Sequence, residues 1–106
     1  MSHQGAKAVK DGVQVIQGTP TAPLTRPTLF LRLVRLKEGK QQRTQATLLL
    51  VRPGVGEYIV KELIPDMELD PQAALDKAVA IAKRGEVAEI YLNADLTRLP
   101  LARAVG

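Results

Sequence analysis

The sequence predicts an α+β domain: a single β-β-β-α-β unit with a mainly antiparallel four-stranded sheet, one helix on one face, and a flexible N-terminal tail. Three observations predict it. Apolar residues alternate with other residues from Leu29 to Leu36, apolar-rich runs follow at Gln45 to Arg52 and Glu57 to Ile64, and one helical stripe lies between Pro71 and Arg84. The 106 residues are enough for one domain and one small core. That core must be aliphatic, because Phe30, Tyr58 and Tyr91 are the only aromatic residues.

Residues 1–27 are expected to be a flexible tail. "GTPTAPLTRPT" holds three prolines and four threonines in eleven residues, which favours extended, hydrated backbone. Within it "GVQVIQG" offers a short edge strand over 13–17. The ordered domain is expected over 28–93, opening with "LFLRLV", whose period is that of a strand. "KEGKQQRT" reads as a long basic loop turning at Gly39, and "QATLLLVR" as the returning strand. "PGVG" is a turn. In "EYIVKELI", Tyr58, Val60, Glu62 and Ile64 share one face, while Glu57, Ile59, Lys61 and Leu63 share the other.

The helix has the strongest signals. Asp70 stands at the N-cap and Pro71 at the first helical position. Leu75, Ala78, Val79 and Ala82 form an apolar stripe, Lys83 and Arg84 suit the negative end of the helix dipole, and Gly85 marks the stop. "EVAEIYLN" is expected as the fourth strand, parallel to the third or beside the first. Residues 94–106 are expected to be a tail, although Leu96, Leu99, Leu101 and Val105 would be unusual in full contact with water.

The composition excludes several chemistries. There is no cysteine, hence no disulfide, thiolate metal site or cysteine nucleophile. His3 and Ser2 are the only histidine and serine, both at the extreme N-terminus, so no histidine-dependent triad is expected and the chain is read as a non-enzyme. Asp66, Glu68 and Asp70 have the alternate spacing of a calcium loop. Pro71 and Lys77 stand where its glycine and final glutamate belong, so no metal or cofactor is expected. No apolar run approaches a membrane span and no secretory signal is evident, which points to the cytoplasm.

Charge is segregated along the chain. Seven basic residues against one acid occupy Arg26 to Arg52, and six acids against one base occupy Pro53 to Asp76. Two functional expectations follow. One is a module for self-association or for an unidentified protein partner, using the sheet face without a helix through Phe30, Val34 and Tyr58, or an edge strand. The other is nucleic-acid binding by the basic hairpin, with Arg32, Arg35, Lys37, Lys40, Arg43 and Arg52 on phosphates. The modest net charge of +4 and the lack of aromatics among those arginines weigh against this second reading, and the missing aromatics count most against single strands.

Overall fold

The computed structural model describes residues 7–100. Ser2, His3, Leu101 and Val105 lie outside the described residues. The elements are β1 (Lys7–Lys10), β2 (Val13–Gln17), β3 (Thr28–Glu38), β4 (Gln41–Pro53), β5 (Tyr58–Glu68), α1 (Pro71–Arg84), β6 (Glu89–Leu92) and a 3₁₀ turn at Leu96–Arg98.

The fold is α+β with one helix, but the sheet has six strands and is mixed. Its order is β1-β2-β6-β3-β4-β5. β3, β4 and β5 form an antiparallel meander, as do β1 and β2 as a hairpin. β6 lies parallel to both β2 and β3 and joins the two halves. Of the two positions the sequence offers for the last strand, the one beside the first strand of the meander is occupied.

Two corrections come from the sheet. Residues 7–17 are a hairpin built into it, so the stretch expected as a tail supplies two strands. The 13–17 strand is interior, not an edge. Asp11 and Gly12 both take positive φ, at 52° and 82°, which closes the hairpin. The expected basic loop after Leu36 is also strand, because Glu38 pairs with Gln41 across a two-residue turn of Gly39 and Lys40. Gly39, at φ 60°, supplies the left-handed residue that such a turn requires.

The helix has the predicted bounds. Asp70 caps it, its carboxylate accepting from the amides of Gln72 at 3.1 Å and Ala73 at 3.4 Å. Its buried face is Ala74, Ala78, Val79 and Ala82, with Leu75 half-buried at the margin. Three alanines let the helix axis come close to the sheet. The stop differs in detail. Glu86, not Gly85, takes the left-handed conformation, and the amide of Val87 reaches back to the Ala82 carbonyl at 2.8 Å.

The helix lies over β2, β6, β3 and β4. Beneath it are Val13, Leu29, Leu31, Ala46, Leu48 and Ile90, all buried. The opposite face has its own apolar set. Phe30 stacks on Tyr91 with ring centroids 5.6 Å apart, and Ile16, Thr28 and Val51 are buried with them.

Candidate interaction surface

The face without a helix is closed largely by the chain itself. Asn93 begins this. Its φ of 53° turns the backbone out of β6, while its side-chain carbonyl accepts from the Leu33 amide at 2.8 Å. The chain then folds back over the sheet. The Asp95 amide donates to the Thr19 hydroxyl at 2.8 Å, and the Asp95 carboxylate caps the 3₁₀ turn through Thr97. The Tyr58 hydroxyl accepts from the Leu24 amide and donates to the Pro100 carbonyl, tying both covering segments to β5. Part of the stretch expected as a C-terminal tail therefore has a structural task.

This cover decides where the first set of candidates stands. Phe30 is 3% exposed and is already occupied by Tyr91, so its ring is not offered to a partner. Tyr58 is half-buried with its hydroxyl engaged. Val34 is half-buried where the hairpin leaves the body. A groove of about 580 Å³ remains, with Arg32, Thr47, Glu62 and Asp66 on its sheet side and Asn93 to Thr97 along one wall. Burial pushes the Tyr91 hydroxyl above its ordinary pKa, with the neighbouring Glu89 charge adding to the shift.

The second set does not form one surface. In the β3–β4 register Arg32 and Arg43 fall on the helix-free face, and Arg35 and Lys37 on the other. Lys40 occupies the turn. Arg52 lies nine positions beyond Arg43 along β4, roughly 30 Å away. The guanidinium of Arg43 is shared between Glu38 at 3.8 Å and Glu68 at 3.9 Å. The three acids with calcium-loop spacing are likewise dispersed: Asp66 accepts from the Thr47 hydroxyl, Glu68 meets Arg43, and Asp70 caps the helix.

The sequence offers an edge strand as a second route to association without saying which strand it is; the strand order makes it the outer edge of β5. This strand ends the sheet, and α1 does not lie over it. The Glu57 carbonyl accepts from the Gly54 amide at 2.7 Å, so the backbone of Glu57 points inward toward β4. In the regular register from Pro53↔Tyr58 to Leu50↔Lys61, Ile59 and Lys61 then also point inward. The backbone N–H and C=O groups of Tyr58 and Val60 point away from the sheet. No strand pairs with them among the described residues. Beside them Ile59 is 47% exposed, Val60 53% and Val55 99%. The available signal was "EYIVK" itself, an apolar triplet with opposite charges at its ends.

No helix among the described residues is long and apolar enough to cross a membrane. Comparison with protein-family models, with curated proteins and with solved structures finds no match to this chain.

Proposed function

We propose that this chain is a non-enzymatic protein-interaction module that takes up an extended strand along the outer edge of β5. The observation that carries this reading is the outward-directed backbone of Tyr58 and Val60, flanked by exposed Ile59 and Val55. Strand addition derives affinity from main-chain hydrogen bonds and selectivity from alternate side chains, and β5 offers both. Exposed apolar side chains beside an unpaired edge are what single-domain proteins otherwise suppress.

The rest of the body supports the edge as a rigid frame. β5 is held to β4 along its length, and Tyr58 is anchored to both covering segments. The basic hairpin is the weaker reading. A phosphate-tracking arm needs its cations on one side, whereas these divide over two faces and Arg43 is already paired.

The test uses a synthetic peptide of alternating threonine and valine as the probe, with amide NMR as the readout. The Tyr58 and Val60 amides should shift and exchange more slowly with solvent when the peptide is added. Val60→Pro, which removes one of the outward donors, should abolish the effect while circular dichroism stays unchanged. Shifts confined to the β3–β4 hairpin, or none at all, would contradict the reading.

A further inference from the structure

We infer that the strand received by β5 is β5 of a second copy, paired antiparallel about a twofold axis through Ile59. This rests on the edge reading above and names its partner. The argument is one of register. When an antiparallel pair continues one sheet, residues directly opposite must share a face, so only pairings of like parity are allowed. Centring on Ile59 places Ile59 against Ile59 of the second copy, Tyr58 against its Val60, and Glu57 against its Lys61. By symmetry each of the last two contacts occurs twice.

The neighbouring registers are worse. A centre at Lys61 sets lysine on lysine, and one at Glu62 sets glutamate on glutamate, both unfavourable when directly opposed. A centre at Val60 avoids like charges but leaves Glu57 facing Leu63 and Lys61 facing Ile59. Only the Ile59 centre sets both opposite charges against each other around an apolar middle. Glu57 and Lys61 are both exposed, and neither forms an ion pair among the described residues.

The backbone agrees with this register. Tyr58 and Val60 are the outward-pointing residues, and this centre makes them opposite partners, so each donates to and accepts from the other. Four hydrogen bonds result across the two Tyr58–Val60 pairs. The Ile59 pair at the axis is then non-hydrogen-bonded, the arrangement in which opposed side chains stand closest. Because the axis is normal to the sheet, both helices fall on the same side. Neither blocks the junction, since α1 stops short of β5.

The charge pattern makes the proposal testable by reversal. In sedimentation velocity the full chain should self-associate with rising concentration. Glu57→Lys should weaken this by about tenfold or more, as should Lys61→Glu, because each sets like charges opposite in both pairs. An equimolar mixture of these two variants should associate again, since lysines at 57 and 61 in one then face glutamates in the other. The double variant should recover association alone. Register is read separately with cysteine. The chain has none, so Ile59→Cys introduces a single thiol that should cross-link readily on mild oxidation. Val60→Cys, one residue along, should not. Association unaffected by either charge reversal, or cross-linking favoured at 60 over 59, would overturn the proposal. A chain monomeric at every concentration would overturn it too. If such a monomer still bound the threonine–valine peptide, only the identity of the partner would be wrong. Failure of the peptide as well would remove the edge reading with it.

Discussion

The two edges of the sheet are built by opposite rules. Over its described residues β1 carries Lys7 and Lys10, and Lys10 lies 3.7 Å from Asp76 of the helix. β5 is eleven residues long, and its two halves differ. Its second half carries Pro65, Asp66 and Glu68, a proline and charges of the kind that discourage further pairing. Its first half carries exposed Ile59 and Val60 beside half-buried Tyr58, next to a turn with fully exposed Val55. Charge marks one edge, while the other stays open over a single apolar triplet. An exposed valine alone does not make an interface: Val9 on β1 is 68% exposed, but it adjoins Lys10 and has no second exposed large apolar residue beside it among the described residues of that strand.

The largest effect should come from the core that supports both edges. Leu48 and Ile90 are fully buried beneath the helix, one in the meander and one in the strand that joins the halves. Truncating either to alanine should destabilise the fold by about 2–5 kcal/mol in chemical denaturation. Both edges should unfold together. Separate transitions would mean that the β3–β5 meander stands without the other half, and the comparison between edges would then be one between two independent units.

A smaller effect is expected at the helix cap. Asp70→Ala removes the acceptor for the first helical amides and should lower stability by about 1 kcal/mol. The helix lies on β2, β6, β3 and β4 but not on β5. Native-state hydrogen exchange should therefore rise more in β2 and β6 than at Ile59 and Lys61, whose amides point inward to β4. Equal increases everywhere would show that α1 supports the open edge as well.

At the edge itself stability should hardly change. Ile59→Thr replaces an exposed residue with another strand former and should leave the unfolding free energy within about 0.5 kcal/mol. Thermal or chemical denaturation at a concentration low enough to keep the chain monomeric gives the measurement. A loss much larger than this would mean that Ile59 is held by contacts within the fold, and the contrast with Val9 would disappear.

Much of the central architecture was legible because local signals agree with it. The helix carries its own cap and proline, and its bounds follow. The period-2 pattern of β3 and the face assignments of β5 from Glu57 to Glu62 follow from alternation. Other parts depend on pairing between distant segments. "KAVKDGVQV" contains an Asp-Gly dipeptide between short apolar stretches, a hairpin signal obscured by the threonine- and proline-rich run after it. Nothing in "VQVIQ" indicates that it lies between β1 and β6, because parallel pairing is fixed by long-range contacts. The same limit applied to the candidate site. "EYIVK" is readable as a pattern, but only the strand order makes its outer side a free edge, and it is pairing with distant β6 that sets Tyr91 against Phe30. The arginines were misleading for a related reason. Closeness in sequence put them in one hairpin, and alternation then sent them to opposite faces.

The smallest expected effect concerns the segment that covers the sheet under β5. The Asp95 carboxyl is held below its ordinary pKa, first by the Thr97 hydroxyl, then by the Thr97 amide and the Arg98 charge. A carboxyl depressed in the folded state stabilises that state above its unfolded pKa, and the contribution is lost as pH falls through the folded value. Acidification should therefore loosen the 3₁₀ turn locally. Because the same segment includes the Pro100 carbonyl that receives the Tyr58 hydroxyl, exchange near Tyr58 should quicken with it. Carbon-detected titration of the Asp95 carboxyl should show the depressed value, and Thr97→Val should raise it part of the way, because the amide donor remains. A normal titration in the parent chain would mean that the turn is open in solution. The β5 edge would then lack the anchor that distinguishes it from an ordinary frayed strand.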